Sequence, residues 1–498
     1  MSISDADFLQ WLDEDHPRCV LVEASVCPAG GSSPVVRRLS TLPYITAATD
    51  SPSLTPYDEI VISIPAFRSG IDTRIAGGAI SLANDGSLDS WLFDGWGKRE
   101  VTILLGDPSW PRADFRVFIA GITDTVGIPN DSTFEILIAD RKELLNKPFP
   151  NEVVASGEKA GQLIPAPIGT CFNVSPLYSE PTSYTYRLAA GVHAITGVRD
   201  SGDSVAATAT VMPSAGTIAL GSPADGEVTC DVQGLYYRPS LSDPAYNDTA
   251  SAIIRTILHT PGVVDEPASL IDEALLADFE DKQPLPAGIV VAGRENLVAV
   301  IDAVMAGVFG YWSFTRAGKI KPWVLRSGLM PSDAMVLTED DIVYGSLALV
   351  RKEPPWAKIR LGLKRNQTIQ AISTLKFTVP ESDKAMYSSE WLGGIVEKVP
   401  TRMYPDVDAD ALTPDVFSTV LNSENHALRP QESTIQAALH SLPRYVFRAQ
   451  FIGRAVMLNP GDCFRLFGDR WFYVSRDAQV LNIDADPVAC IAEIEFLI

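Results

Sequence analysis

Several things are scarce in this 498-residue chain, and each scarcity removes a class of function. Its six cysteines, Cys19, Cys27, Cys171, Cys230, Cys463 and Cys490, lie far apart. They form no C-x-x-C pair and match no zinc or iron–sulfur spacing. Cys19 and Cys490 sit in apolar strand-like runs, where a reduced thiol acts as a small hydrophobe. The pattern predicts a protein made in a reducing cytoplasm. Five histidines, His16, His193, His259, His426 and His440, are scattered without metal-ligand spacing. There is no G-x-S-x-G elbow and no P-loop. Gly30-Gly31 and Gly77-Gly78 lack the strand-to-helix setting of a nucleotide fingerprint and read as turn glycines. The longest apolar stretch, residues 297–312, contains Asp302 and is short for a membrane span. The opening residues lack the basic and apolar regions of a secretory leader, so a soluble product is expected.

Basic residues are the other shortage. Forty lysines and arginines against 62 acidic residues leave a net charge of −22, which repels duplex DNA and anionic lipid. Nonspecific nucleic-acid binding needs a basic track and is not expected. A solvated acidic face is the simplest reading, and the same sign suits a duct through which DNA slides without sticking. With so many carboxylates, a catalytic acid pair cannot be singled out by sequence, although a wall-degrading enzyme stays open as an alternative. Asp406-Val-Asp-Ala-Asp410 starts like a calcium loop. Ala411 and Phe417 stand where that loop needs Gly and Glu, so an acidic turn is the better reading. Trp91-Leu-Phe-Asp-Gly-Trp96 and Trp110 have the makings of a sugar platform, but aromatics in β-rich domains are more often packing. No catalytic, cofactor or metal residue is assigned.

What is present is strand and turn. At this length roughly three to four domains are expected. Residues 1–150 open with a capped helix over 4–12, acidic in its first turn. Strands follow near 19–24, 59–64, 101–105, 115–119 and 134–138, the last two as antiparallel neighbours, and a short helix closes the unit at 140–146. Residues 151–240 are rich in Ser, Thr, Gly and Ala and read as a β-rich insertion, with strands near 192–197, 205–211, 216–220 and 226–232. Residues 241–335 form an α+β module. Ile253, Ile254, Ile257 and Leu258 line one helix face, stopped by Pro261-Gly262, with His259 capping its carbonyl end. Further helices are expected over 268–276 and 296–307, then a hairpin turning at Ala317-Gly318. Residues 336–498 return to β. A strand at 356–363 is expected to pair with 374–379, candidate helices lie at 415–422 and 433–442 in a polar insertion of about 380–440, and a small barrel ends the chain. That barrel is read from the runs 445–452, 463–467, 471–474 and 490–498, with a turn at Asn459-Pro-Gly-Asp462. The fold class is mainly β with an α+β module: multidomain, with two small β-barrel domains near the two ends, a β-rich insertion and a helix-containing middle domain.

This order of units resembles the baseplate hub, or tail-tip hub, proteins of long-tailed bacteriophages. The likeness rests on Val101-Thr-Ile-Leu-Leu-Gly106 with Val117-Phe-Ile-Ala-Gly-Ile122, on Gln162-Leu-Ile-Pro-Ala-Pro-Ile-Gly169, and on Tyr311-Trp-Ser-Phe-Thr-Arg-Ala-Gly-Lys319. It continues through Lys358-Ile-Arg-Leu-Gly-Leu-Lys-Arg-Asn-Gln-Thr368 to Leu458-Asn-Pro-Gly-Asp462. The resemblance implies a homotrimeric, non-enzymatic ring in which each subunit donates two similar barrels, adapting a six-fold tail tube and distal tail ring to a three-fold tip or central fibre. It implies a place in the virion tail after synthesis in the host cytoplasm. The implied partners are the distal tail protein, the tape measure protein and a central fibre or tip protein. DNA would pass through without sequence recognition, and membrane would be met only indirectly during infection. Cys463 and Cys490 stand alone, so the iron–sulfur centre of some hub relatives is not expected, and neither is the fused lytic domain that other relatives carry. The alternative is a receptor-binding adhesin whose insertion binds cell-surface carbohydrate.

Overall fold

The computed structural model describes residues 3–71, 78–237, 246–325, 331, 334–356, 358–398, 439, 441, 443–468 and 476–498. The first helix, Asp5–Asp13, starts where expected because Ser4 caps it: the Ser4 hydroxyl accepts from the Asp7 amide at 3.1 Å. Its inner face, Phe8, Trp11 and Leu12, is buried. A nine-stranded sheet follows. Across it run Tyr44–Ile45, Pro56–Glu59, Val35–Ser40, Cys19–Val26, Glu100–Gly106, Arg116–Asn130, Thr133–Ala139, Gly78–Ala83 and Val61–Ser63. The expected neighbours are paired antiparallel, with Ile136 opposite Val126.

Pro56–Glu59 and Val61–Ser63 belong to opposite ends of that order, yet only Ile60 separates them in the chain. Adjacent Cα atoms lie about 3.8 Å apart, so the sheet curls until its ends meet. The Ile60 carbonyl accepts from the Ala83 amide at 2.7 Å and fixes the bend.

The last unit is built similarly. Met335–Thr338, Cys463–Phe467, Arg476–Asp486, Ile491–Leu497, Arg444–Ile452 and Ala348–Glu353 lie side by side in that order. A bridge from Ile342 to Phe451 draws the first of these back toward the far edge. Each curled sheet is antiparallel apart from one parallel pair, Leu39 beside Asp58 in one and Met335 beside Phe464 in the other. The fold is mainly β, in several sheets. The ladders themselves are open paths, with no closed barrel among the described residues. Chain continuity at Ile60, in place of a strand-to-strand ladder, brings the first sheet's ends together.

The two end units also cover each other. Phe67–Gly70 leaves the first unit and pairs antiparallel with Arg476–Asp486, Ala485 facing Phe67. One continuous core then runs from Leu12, Phe118 and Phe134 through Phe67 to Phe451, Phe464 and Phe496. Burial of these side chains is worth roughly 1.5–3 kcal/mol apiece, an upper range because unfolded chains are partly compact.

Between the ends lie a five-stranded and a four-stranded sheet. Gly288–Val291, from the helical module, extends the five-stranded sheet beside Ala166–Val174. Thr249 caps the helix Ala250–His259, and Asn296 caps Leu297–Gly307. The single helix expected at 268–276 is instead two, Pro267–Leu270 and Glu273–Lys282. Asp272 breaks it by accepting from the Ala274 amide at 2.9 Å and starting a new helix. Ile359–Gly362 pairs with Ile395–Lys398 and not with 374–379. The latter stretch is drawn to the insertion, where the Lys376 amide donates to the Ser201 carbonyl at 2.9 Å. The helix expected at 415–422 and the strand at 471–474 lie outside the described residues, as does 433–442 apart from Leu439 and Ser441.

Candidate functional site

The hairpin Gly310–Phe314 and Ile320–Val324 carries its turn into the joint between the two end units. There Arg316, 4% exposed, is held through its backbone and one guanidinium nitrogen, while Nε and Nη1 are buried without a hydrogen bond. Its carbonyl accepts from Ala120 at 2.7 Å. Its amide donates to Asn459 Oδ1 at 3.1 Å, and its Nη2 donates to the Leu458 carbonyl at 2.9 Å. Burial lowers the guanidinium's pKa, and the negative charge of Asp462 offsets only part of that. Lys321 reaches the same turn and ion-pairs with Asp462. The expected Asn459–Asp462 turn is therefore a receptor for the hairpin.

Beside this joint lies a cleft of about 1250 Å³, bordered by the first unit, the helical module and the last unit. Lys142, Asp302, Tyr311, Trp312, Trp356 and Arg444 contribute to its walls. Several of their polar groups are engaged. Trp312 Nε1 donates to Asp302 Oδ1 at 2.5 Å, and the Lys142 ammonium lies 4.5 Å from the Trp312 ring centre. Arg444 pairs with Glu353 at 2.7 Å. Such contacts brace the walls and leave Asp302 and Glu353 as partners of fixed donors, not as an acid–base pair aimed at a common point.

The surface offers a different feature. Ala348–Glu353 forms the edge of the last sheet and is exposed on both faces up to Lys352. Leu349 is 53% and Val350 44% exposed, and Tyr344 just before them is fully open to solvent. At an end of the first sheet, Val61–Ser63 exposes Ile62 at 60%. Free apolar strand edges invite pairing with another chain.

The structure disperses most residues weighed in the sequence. Trp91 and Trp96 are buried, the Trp96 indole donating to the Trp91 carbonyl at 2.7 Å, so they are packing and not a sugar platform. Trp110 packs against Trp11 with the rings tilted by 51° and their centres 4.8 Å apart. Gly30 adopts φ +77° in a tight turn in which the Gly31 amide donates to the Pro28 carbonyl at 2.8 Å. Residues 406–410 and Gly77 lie outside the described residues. All six cysteines are free, and burial raises the Cys19 thiol to about 11 and the Cys230 thiol to about 12. His259 ends its helix as expected and stacks on Tyr237 at 3.7 Å, with burial lowering its pKa. Among the described residues no group of three or more His, Cys, Asp or Glu side chains is placed to hold a metal. No helix there is long and apolar enough to cross a membrane.

Sequence reasoning missed one polar cluster. His193 Nδ1 lies 3.1 Å from the Tyr236 hydroxyl and its ring stacks on Tyr246 at 4.9 Å. Thr170 donates to Asp248 at 2.5 Å beside them, and burial raises the Asp248 carboxyl. These residues come from separate strands and loops, and no spacing in the chain announces them.

No protein-family model matches the chain. No curated protein matches it either. Among solved structures it is similar to the 43 kDa tail protein of prophage MuSo2 from Shewanella oneidensis, at 9% identity and a TM-score of 0.38, covering 96% of this chain and 98% of that one. It is similar to the tail protein from Neisseria meningitidis MC58, at 8% identity and a TM-score of 0.37, covering 97% of each chain. It is also similar to prophage tail protein gp18 from Listeria monocytogenes EGD-e, at 7% identity and a TM-score of 0.39, covering 96% of this chain and 94% of that one.

Proposed function

We propose that this chain is a structural subunit of a bacteriophage tail tip, a baseplate hub that assembles as a homotrimeric ring. The observation that carries the reading is the pair of similarly built curled sheets contributed by the two ends of the chain, each antiparallel with one parallel pair. They are locked together by the strand Phe67–Gly70 and one shared core. Three copies of such a subunit present six like units around one axis. That arrangement lets a six-fold tail tube or distal tail ring meet a three-fold tip or central fibre. The tape measure protein is the natural neighbour inside the tube. The chain is organised as an end unit of 1–150, an insertion of 151–240, a helical module of 241–335 and a second end unit of 336–498.

The net charge of −22 suits the wall of a channel that releases DNA, because a basic lining would hold the polyanion. The free edges at Val61–Ser63 and Ala348–Glu353 give the ring its contacts, and closure of a ring hides them. Light scattering on purified chain, alone and with the distal tail ring protein, tests the reading. A mass three times that of one chain is expected. A monomer at micromolar concentration with the ring protein present overturns it.

A further inference from the structure

We propose that the seam between the insertion and residues 366–392 is a binding site for internal water, which bridges the side-chain amide of Gln370 to Asn173 Oδ1. The site stands apart from the tail reading above and does not depend on it.

An irregularity between Cys171 and Val174 breaks the alternation of the strand Ala166–Val174, so Asn173 and Val174 are both buried. Asn173 adopts φ +51°, a conformation that asparagine tolerates. Its Nδ2 donates to Asn366 Oδ1 at 2.8 Å and to the Thr368 carbonyl at 2.7 Å, which ties the strand to the segment lying on it. Asn366 Nδ2 in turn donates to the Tyr387 carbonyl at 2.8 Å. The Gln370 backbone amide donates to that same carbonyl at 3.0 Å. Gln370 is therefore anchored one carbonyl away from the Asn173–Asn366 pair.

Three side-chain atoms in this seam have no hydrogen-bond partner among the described residues. Asn173 is fully buried with Oδ1 unpaired, and Gln370, 2% exposed, has both Nε2 and Oε1 unpaired. Burying amide groups unpaired is costly, and native interiors avoid it. Exchanging the two amide atoms of Gln370 changes nothing, because one donor and one acceptor are left over either way.

The unmatched set, one donor group and two acceptors, selects the ligand. Water donates and accepts, and in enclosed polar sites it makes about three hydrogen bonds. A cation would face the amide nitrogen and the nearby charge of Arg199. That guanidinium pairs with Asp231 at 2.5 Å, and Asp231 accepts from the Asn173 amide at 2.9 Å. An anion would face two carbonyl oxygens. A larger polar molecule would have to part the seam, since both residues are closed to solvent.

Two measurements on the full chain test the assignment. A crystal structure of the unmodified protein, at a resolution that shows ordered water, should place solvent density within hydrogen-bond distance of both the Gln370 amide and Asn173 Oδ1. Protein atoms filling the seam, or density touching only one of the two residues, overturns the bridge. Amide exchange over residues 366–392 in Gln370→Met supplies the second readout. The variant keeps the side chain's length and removes its polar atoms. If water bridges the amide, exchange should speed up about ten-fold, because Asn173 Oδ1 and the water lose their partner. Exchange that is unchanged or slower means that the amide was buried dry, and the proposal fails. Should the variant not fold, the crystal structure of the unmodified chain decides alone.

Discussion

The guanidinium of Arg316 lies 4.1 Å from the centre of the Phe67 ring, with Phe118 on another side at 4.7 Å. Phe67 belongs to the strand that crosses into the last unit and Phe118 to the first sheet, so one cation stacks at the boundary of both. Stacking on two rings contributes about 1–2 kcal/mol, against the cost of burying a charge with no carboxylate in contact. Arg316→Ala removes the stacking and leaves a cavity between two phenylalanines. It should lower unfolding free energy by about 2–4 kcal/mol in urea titration. Arg316→Met fills the space without a buried charge and should lose less than half as much. Arg316→Lys should not recover the arginine value, because an ammonium cannot lie flat between rings.

Gly461 makes a second prediction at the same joint. It adopts φ +80°, and a Cβ there would stand 2.4 Å from Trp323 Cγ. Trp323 is itself stacked on Tyr311 at 4.9 Å and has no room to retreat. Gly461→Ala combines a left-handed backbone cost of about 1–2 kcal/mol with overpacking of about 1–3 kcal/mol. The expected result is a lower denaturation midpoint and a weaker near-ultraviolet tryptophan signal.

That turn was readable in the chain because Asn, Pro, Gly and Asp punctuate it, just as Ser4 and Asp7 mark the first helix and Gly318 marks the hairpin. Such signals are local: each depends on residues a few positions apart. The pairing of Phe67–Gly70 with Arg476–Asp486 spans most of the chain, and nothing in either segment points to the other. The shared core followed from that pairing, so the sequence suggested two separate barrels. Asp272 failed for another reason: an aspartate amid apolar residues fits either a helix surface or a cap, and only the bond to Ala274 decides. Arg316 and the His193 cluster were invisible because their partners come from distant elements. The exposed edges carried no sequence mark either, since exposure of Leu349 and Ile62 is a property of the folded sheets.

Glu23 gives a pH prediction. Burial by itself raises its carboxyl, but the hydrogen bonds from Arg112 at 2.7 and 2.5 Å and from Tyr57 outweigh that and hold it below the ordinary range. A carboxyl lowered in the folded state stabilises fully above its unfolded value of about 4.3 and loses that contribution as pH falls through the folded value. Urea midpoints should therefore drop as the solution is taken from about pH 5 toward pH 3. Glu23→Gln leaves the partly buried Arg112 without its counter-ion. It should cost about 1–2 kcal/mol near neutrality and flatten the acid limb of the curve.

Lys376 gives the last prediction, a local one. Its ammonium meets Asp200 at 2.7 Å and Asp225 at 2.9 Å, fastening the stretch after Ile372–Thr374 to the insertion. Burial raises the Asp200 carboxyl, yet Lys376 and the amides of Asp225 and Gly226 together pull it below the ordinary range. Leu375, Val379 and Tyr387 pack beneath the same contact. The lysine keeps about 24% of its side chain in water and its second partner Asp225 is open to solvent, so screening limits the ion pair to about 0.5–1 kcal/mol. Lys376→Met should speed amide exchange and protease cleavage in residues 366–392 about two- to five-fold, the same energy expressed as an opening equilibrium. The main unfolding transition should not move, because the shared core of the end units lies elsewhere. A drop in the global midpoint matching the local loss would mean that the segment and the core unfold together.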